Sequence, residues 1–383
     1  MLATLTLLLY ISQSTSIADF AKLFNDSTVN TTKPANRSVV STTQLTTTQL
    51  STTQLSTTRF VSQCSLIKEF RLNVSSHQNT KTYNIGILVI VDNHNTDKDY
   101  KIATDSLICY ARLQNYTMEH VYIDENADLI KMCPHKDKML RRHCVAAHYI
   151  KKHDWTLFVD ADIGVINPNH RIEEYIDDTV PLIFYDRFYN WEVAAGSYLA
   201  KNSEYASYFL NEWANFEYRL PNSFHGTDNG LLHMILIEQL APFAVIERGI
   251  CQRWLNNSKS YDDLFVFQAC TRMVLGANRH WPGKLKLLGK GKAWSRDGWI
   301  TGTKYCAHDF LFHGWKLSKL GGEWHMPFAN PDDLAKCDKG FATFTTKPGV
   351  LASVDEIEDI MCRKYVDVER NLFQNVGRLG QKF

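Results

Sequence analysis

The chain has 383 residues, of which 44% are hydrophobic and 12% aromatic, so it can bury a large core and is not a disordered protein. Its formal net charge of +1 provides no broad basic field. This argues against nucleic acid or an anionic membrane surface as the main partner, and a small or sugar-like substrate fits better.

The N-terminus has the pattern of a secretory signal. An apolar run of about ten residues is followed by small polar residues, and Ser16 and Ala18 have the spacing of a cleavage-site pair. We therefore expect a signal peptide over residues 1–18. The apolar run is shorter than the ~20 residues that span a bilayer, so a short membrane anchor is the alternative.

Residues 19–62 are dominated by Ser, Thr, Asn and Gln, and the unit TTQL repeats from Thr42 with a period of five residues. This composition cannot form a packed core. It predicts a disordered, extended stalk that can carry O-linked glycans, and a nonfunctional low-complexity insertion is the alternative.

Glycosylation sequons and cysteines favour the secretory pathway, either the Golgi lumen or the exterior. Six Asn-x-Ser/Thr acceptor sites are present: Asn25, Asn30, Asn36, Asn73, Asn115 and Asn256. The nine cysteines include no Cys-x-x-Cys pair, so we expect disulfides and not a zinc site. The odd count leaves at least one thiol unpaired or bonded to another chain, and the pairing is open.

From residue 83 onward, strand and helix patterns alternate. Continuous apolar runs predict buried strands, and longer amphipathic segments predict helices. The expected elements are a strand at 83–92, a helix at Asp99–Leu113, a strand at 118–125, a helix at Lys138–Lys152 and a strand at 155–164. This alternation predicts an α/β fold, with a mostly parallel sheet flanked by helices and ligands at the carboxyl ends of the strands.

Two carboxylates follow the third predicted strand, in the sequence Asp160-Ala161-Asp162. Residues i and i+2 of a strand share a face, so we expect the carboxylates to point the same way. Carboxylate oxygens suit Mg²⁺ or Mn²⁺, which can bridge a diphosphate. One alternative is a turn cap. Another is a haloacid-dehalogenase-type phosphatase, but that class needs Thr or Val where this chain has Gly164.

A second segment places Ala195 and Gly196 before a short strand, and Ser203 at the position of a helix N-cap. Small residues at such a point let a ligand approach the backbone closely, and tight strand packing is the alternative. The helix that follows is expected to bury aromatic side chains, namely Tyr205, Phe209 and Trp213.

Two further segments carry polar groups next to apolar elements. Asp228 is expected at the N-terminus of an apolar helix, either as its cap or as a carboxylate that faces a pocket. Near the C-terminus, His308 and His313 flank an apolar strand, and Gly314 and Lys316 follow. An imidazole can complete a metal site and a lysine can pair with phosphate, whereas a satisfied core histidine is the alternative.

The order of these motifs resembles metal-dependent GT-A-type glycosyltransferases, particularly retaining Golgi galactosyl-, mannosyl- and xylosyltransferases and glycogenin-like enzymes. Residues from about 83 to 375 are more closely similar to a nematode family of nucleotide-diphospho-sugar transferase-like proteins. The resemblance rests on DAD after an apolar strand, AGSYLAKNS before an aromatic helix, HGTDN before another helix, and a late HGWK.

The resemblance implies a GT-A-like (Rossmann-like) fold in a single catalytic domain over residues 63–383. It also implies that Asp162 binds the metal directly, that Asp160 contacts the metal or the nucleotide ribose, and that His313 is the third protein ligand. The implied metal is Mn²⁺ or Mg²⁺, and the implied donor is a nucleotide-diphosphate sugar.

The remaining roles implied by the resemblance concern the donor. Lys316 would hold the diphosphate, Gly196 would line the sugar subsite, and Asp228 would be the catalytic residue that lies beneath the reacting sugar and orients donor or acceptor. Lys316 comes two residues after Gly314 and no Pro-Trp follows. This departs from the His-x-x-Gly-x-x-Lys-Pro-Trp ending of glycogenin-like enzymes.

The expected activity is metal-dependent transfer of a hexose or pentose from the nucleotide sugar to a glycan or glycoprotein acceptor, with retention of configuration. Nucleic acid is not an expected partner, and a membrane is expected only through an N-terminal anchor. A secreted non-catalytic sugar-binding or degenerate transferase-like protein is the alternative.

Overall fold

The computed structural model describes residues 81–320 and 325–380. The strands are β1 (Ile85–Val91), β2 (Thr117–Tyr122), β3 (Trp155–Val159), β4 (Ile163–Val165), β5 (Leu182–Tyr185), β6 (Ser197–Lys201), β7 (His280–Trp281), β8 (Leu285–Leu288), β9 (Ser295–Asp297) and β10 (Leu311–His313). Seven of them form a central sheet in the order β2-β1-β3-β6-β5-β8-β7, and the other three form a small sheet in the order β4-β10-β9.

Helices flank the central sheet. They are α1 (His94–Asp97), α2 (Lys101–Gln114), α3 (Ala127–Met132), α4 (Lys138–Tyr149), α5 (Glu204–Asn215), α6 (Thr227–Leu240), α7 (Val245–Asn257), α8 (Tyr261–Leu275), α9 (Asp332–Lys336) and α10 (Val354–Arg378). Among the described residues, no helix combines the length and the apolar character that crossing a membrane requires. The expected signal peptide (1–18) and stalk (19–62) lie outside the described residues.

The α/β prediction is confirmed, and five of the seven central strands run in one direction. β1 pairs in parallel with β2 and β3, and β5 pairs in parallel with β8. β6 runs antiparallel to both of its neighbours, and β7 runs antiparallel to β8. The sheet is therefore mixed, although most of its strands are codirectional.

Each face of the central sheet contributes to a separate apolar core. In β3, Phe158 packs with α4 to α8 on one face, whereas Leu157 and Val159 pack with α2 on the other. Because successive side chains alternate across a strand, a continuous apolar run such as β1 or β3 is needed when both faces are covered. Every residue of β1 and β3 is buried, as the sequence predicts.

The predicted helices are present with shifted ends. Asp99–Leu113 corresponds to α2, and Lys138–Lys152 corresponds to α4 followed by one 3₁₀ turn. Ser203 caps α5, because its side-chain oxygen accepts a hydrogen bond from the Ala206 amide at 3.1 Å.

The strand predicted over 155–164 is wrong at its end. It is broken into β3 and β4 by a turn, in which the Ile163 amide donates to the Asp160 carbonyl at 2.9 Å. β4 then leaves the central sheet and pairs with β10 in the small sheet. The small sheet is therefore the element that brings residues near 313 to the end of β3.

Disulfides, expected from the sequence, are present. Cys133–Cys144 and Cys251–Cys270 close short loops, whereas Cys109–Cys337 joins α2 to the end of α9 across 228 residues. Cys362 is also disulfide-bonded, and Cys306 is a buried free thiol. Asn115 and Asn256, the two sequon asparagines within the described residues, are both exposed.

Candidate functional site

A cavity of about 500 Å³ opens at the carboxyl ends of the parallel strands, and we call it the main cavity. Asp92 follows β1, Asp160 and Asp162 follow β3, and Gly196 precedes the antiparallel β6, so all of these residues meet at one edge of the sheet. Ligand sites in open α/β sheets lie at this edge, where the loops that follow the strands converge.

Asp160, Asp162 and His313 form one cluster in the wall of the main cavity. Each offers a ligand atom, and these three atoms lie within 4.8 Å of one another. The two carboxylates converge because the chain turns between them, and not because a pleated strand holds them on one face. The Asp160 amide donates to the Gly196 carbonyl at 2.7 Å, which fixes the start of that turn against β6.

His313 is held in place by a carboxylate behind it. Its Nδ1 lies 3.0 Å from Asp297 Oδ1, and its Nε2 lies 3.4 Å from Asp162 Oδ1. Burial opposes protonation of His313, but the nearby Asp162 and Asp297 outweigh it and raise the pKa to about 10. The cluster therefore favours positive charge between its carboxylates.

This donor set fits a divalent cation such as Mn²⁺ or Mg²⁺. Carboxylate oxygens with one imidazole nitrogen are suitable ligands for such ions. The Asp297–His313 contact is the outer-shell arrangement that orients a metal-ligating imidazole. Burial alone would raise the pKa of Asp162, but His313 and Lys316 outweigh it and lower that pKa, so the carboxylate is ionised.

The segment after β10 is fastened to the Asp162 backbone. The amides of Gly314 and Trp315 both donate to the Asp162 carbonyl, at 2.9 and 2.8 Å. Gly314 has a φ of +107°, a conformation that favours glycine. The turn puts Lys316 at the rim of the cavity, where its Nζ lies 3.6 Å from Asp162 Oδ2.

Arg142, on α4, links Asp160 to a buried layer beneath the cavity. Its guanidinium donates to Asp160 Oδ1 and, through Nε at 3.1 Å, to Asp228 Oδ2. His143 Nε2 lies 3.1 Å from the same Asp228 oxygen, and its ring stacks on Trp213 with a centroid distance of 3.4 Å. Burial would raise the pKa of Asp228, but Arg142 and His143 outweigh it and lower that pKa to about 2.

Asp228 does not contact the main cavity, contrary to the expectation that it would touch donor or acceptor. Its side chain is completely buried and lies behind Arg142. It is not the helix cap either, because Gly226 occupies the cap position of α6 and the Asp228 carboxylate is bound by Arg142 and His143. The next residue, Asn229, lines the cavity instead.

Gly196 lines the main cavity directly against Asp160. A Cβ atom at position 196 would lie 2.2 Å from Asp160 Oδ2 and 2.8 Å from its Cγ. A side chain here would displace the carboxylate, so glycine is required by the close approach of backbone and Asp160.

Of the six residues that were assigned a site role from the sequence, Asp228 does not line the main cavity, and the other five do: Asp160, Asp162, Gly196, His313 and Lys316. His308, which was considered beside His313, does not line it either. Sequence reasoning missed Arg142, Asn229 and Asp297. Arg142 is one of five lysine and arginine residues in the predicted helix 138–152, and Asp297 stands in no recognisable motif. Only their positions in the fold distinguish Arg142 and Asp297 from charged residues on the surface.

Comparisons with known proteins include a family match and a structural neighbour. The neighbour is a glycosyltransferase involved in the glycosylation of the major capsid of PBCV-1; the match has 13% sequence identity and a TM-score of 0.35, and covers 60% of this chain and 92% of that chain. No curated protein matches the chain in sequence. Residues 107–327 match the family model described as "Protein of unknown function, DUF273". That segment spans more than half of the chain and includes every residue from Asp160 to Lys316, so the protein belongs to the DUF273 family.

Proposed function

We propose that this protein is a metal-dependent glycosyltransferase that uses a nucleotide-diphosphate sugar as donor. The observation that carries the proposal is the cluster of Asp160, Asp162 and His313 in the wall of the main cavity, with Lys316 at its rim. A site with two carboxylates, an imidazole and a nearby ammonium suits a divalent cation together with a phosphate-bearing ligand.

Asp160, Asp162 and His313 would hold Mn²⁺ or Mg²⁺, which when bound neutralises charge on a departing diphosphate. Asp297 contacts Nδ1 of His313, so Nε2 is the nitrogen that faces Asp162 and would bind the metal. Lys316 would pair with a phosphate oxygen, as a flexible point charge can do. Gly196, which lines the main cavity, lets Asp160 pack directly against the backbone at the point where the donor sugar would sit.

Arg142 and Asp228 are positioning residues in this proposal. Asp228 fixes the guanidinium of Arg142, and Arg142 in turn fixes Asp160. A buried carboxylate with a lowered pKa keeps its charge, so it holds the guanidinium in one orientation over a wide pH range. The arrangement limits the motion of Asp160 before any ligand binds.

We further propose that transfer proceeds with retention and without a covalent sugar–enzyme bond. The carboxylates that line the cavity within the described residues are Asp92, Asp160, Asp162 and Asp297. Asp92 is paired with Lys138 at 3.0 Å, and the others form or support the metal cluster. The acceptor hydroxyl would then attack from the side of the leaving diphosphate. The sugar–phosphate bond breaks, the new glycosidic bond forms, and the hydroxyl proton passes to the departing phosphate.

A hexose or pentose as the transferred group, a glycan or glycoprotein as acceptor, and the Golgi lumen or exterior as location complete the proposal. Its support is the disulfide-bonded structure, which is typical of oxidising compartments, and the exposed sequon asparagines Asn115 and Asn256.

The test is nucleotide release. The purified full chain is incubated with Mn²⁺ and a panel of UDP-, GDP- and ADP-sugars, and free nucleotide is measured. We expect release from one donor, and its loss with a chelator and in Asp162→Ala. The matched control is Asp333→Ala, an aspartate on α9 that does not line the cavity. A folded wild-type protein that releases no nucleotide from any donor would contradict the proposal and favour a non-catalytic sugar-binding protein.

A further inference from the structure

A second cavity, of about 360 Å³, lies next to the main one. Its walls come from the loop before α6 and from the start of α8, and Arg187 and Asn229 line both cavities. The two cavities therefore meet at these two side chains. The volume of the second cavity is at the lower end of the range for small-molecule sites, which is ~300–1,000 Å³.

One wall of the second cavity is aromatic. Tyr261, at the start of α8, has 60% of its surface exposed although its ring packs against Phe224 with a centroid distance of 4.8 Å. Phe224 is itself held by a hydrogen bond from its amide to the Ser258 carbonyl at 2.9 Å. The ring of Tyr261 therefore has a fixed neighbour on one side and an accessible surface.

The lining of the second cavity also includes polar groups that are oriented by the protein. The Glu192 carboxylate is buried and accepts from Gln268 Nε2 at 2.8 Å and from Asn190 Nδ2 at 2.6 Å. His225 Nδ1 accepts from the Thr227 amide at 3.1 Å, so its neutral ring carries the proton on Nε2 and can donate to a ligand. Carboxylate acceptor and imidazole donor are thus both fixed before a ligand arrives.

The loop that supplies His225 has an unusual backbone. Thr227 has a φ of +54°, which is rare for a β-branched residue, and the preceding Gly226 has a φ of +66°. A Cβ at position 226 would lie 2.4 Å from Leu264 Cδ2. Strained backbone of this kind is concentrated at functional sites, where the surrounding structure holds it.

The second cavity has no net charge of its own. Arg187 is the cation and Glu192 the anion of its lining, and they contact each other at 3.4 Å. An anionic or cationic ligand would find no unpaired countercharge there. Hydrogen-bonding groups and an aromatic face in one cavity instead suit a neutral molecule with hydroxyls on its edges and an apolar face, which is the chemistry of a sugar ring.

A chain of contacts connects the second cavity to the metal cluster. Arg187, which lines both cavities, contacts Asp297 at 2.9 Å, and Asp297 contacts His313 Nδ1 at 3.0 Å. The second cavity is therefore linked to the cluster through two side chains, Arg187 and Asp297.

From these observations we infer that the second cavity is the acceptor subsite and that it binds a glycoside, with Tyr261 against the sugar face. This inference rests on the proposed function, because an acceptor subsite requires a transferase. A Ser/Thr-containing peptide is the competing occupant, and the test distinguishes the two.

The test measures binding of methyl glycosides of galactose, glucose, mannose and xylose to the full chain by saturation-transfer NMR. At least one glycoside should bind the wild type, and Tyr261→Ala should weaken its binding about tenfold, equivalent to about 1.4 kcal/mol. Tyr261→Phe, which keeps the ring, should bind within about twofold of the wild type. Tyr218→Ala removes a tyrosine that is 67% exposed and lines neither cavity, so it is the matched control.

Three results would overturn the inference: no glycoside binds the wild type, Tyr261→Ala binds as well as the wild type, or a Ser/Thr peptide binds in a Tyr261-dependent way while glycosides do not. Nucleotide release by the wild type without any glycoside is measured in parallel. Failure of the proposed function would appear there, and failure of the subsite would appear in the binding experiment.

Discussion

The contact between Gly196 and Asp160 supports a sharp prediction. Replacing Gly196 with Ala places a Cβ atom 2.2 Å from Asp160 Oδ2, whereas ordinary contact begins near 3.4 Å. The carboxylate must therefore retreat by roughly 1.2 Å or rotate away. It cannot do so freely, because its other oxygen accepts a hydrogen bond from Arg142.

The expected magnitude follows from that displacement. A shift of about 1 Å in a catalytic geometry costs on the order of 10²-fold in rate, and perturbing the support of a metal ligand costs about 10–100-fold in metal affinity. We expect Gly196→Ala to bind Mn²⁺ about 10–100-fold more weakly and to release nucleotide about 10²-fold more slowly. Overpacking of this kind should also lower the free energy of unfolding by about 1–3 kcal/mol.

Mn²⁺ affinity is measured by isothermal titration calorimetry, and stability by urea unfolding. Gly249→Ala is the matched control, because nothing lies within 4 Å of its added Cβ, and we expect it to stabilise α7 by about 0.5–1 kcal/mol. A double-mutant cycle with Asp160→Ala isolates the clash, since Gly196→Ala should cost little once that carboxylate is gone. Unchanged Mn²⁺ affinity and turnover in Gly196→Ala would refute the assigned geometry.

Three further predictions concern charge and cross-linking. Lys316→Met should raise the KM for the nucleotide sugar about tenfold in steady-state assays, because one charged contact to phosphate is lost; an unchanged KM would exclude that contact. Asp228→Asn should lower the free energy of unfolding by about 1.5–3 kcal/mol in urea titrations, because the guanidinium of Arg142 loses one of its two carboxylate partners and keeps only Asp160; a change below about 1 kcal/mol would contradict this. The folded-state pKa of Asp228, about 2, lies below its unfolded value of 3.8. Its contribution to the free energy of unfolding is therefore present above about pH 4 and is lost as the pH falls toward 2. The free energy of unfolding of the wild type should accordingly fall more steeply over this pH range than that of Asp228→Asn. Replacing Cys109 and Cys337 with Ala should destabilise the protein by up to about 5 kcal/mol, because the bond closes a loop of 228 residues, and an unchanged melting temperature would count against this account.

Much of the fold could be predicted because its signals are local. The continuous apolar runs of β1 and β3 correspond to strands that are buried on both faces. Ser203 could be recognised as a helix cap because capping depends on residues within one turn of the chain. His313 and Lys316 were found because they stand in one short segment, HGWK, after an apolar strand.

The features that escaped prediction depend on contacts between distant residues. The turn after β3 follows from the pairing of β4 with β10, about 150 residues later, and strand propensity contains no such information. Asp228 has the local pattern of a cap or a pocket carboxylate, but Arg142 and His143 on α4 bind it in the buried layer. Asp297 has no local pattern at all, and its role depends on the parallel pairing of β9 with β10.

The small sheet also has a consequence for how the protein is made. Its strand β10 joins β4 and β9, and it brings His313 to carboxylates that the ribosome has produced much earlier. Pairings between strands so distant in sequence form slowly, because the entropy cost of closing the intervening loop comes before the contacts that offset it. We expect the cluster of Asp160, Asp162 and His313 to be completed late in synthesis, because β10 lies in the last third of the chain. Unfinished chains that end before β10 would then carry the two aspartates without His313, and a ligand that needs all three groups could bind only when synthesis is nearly complete.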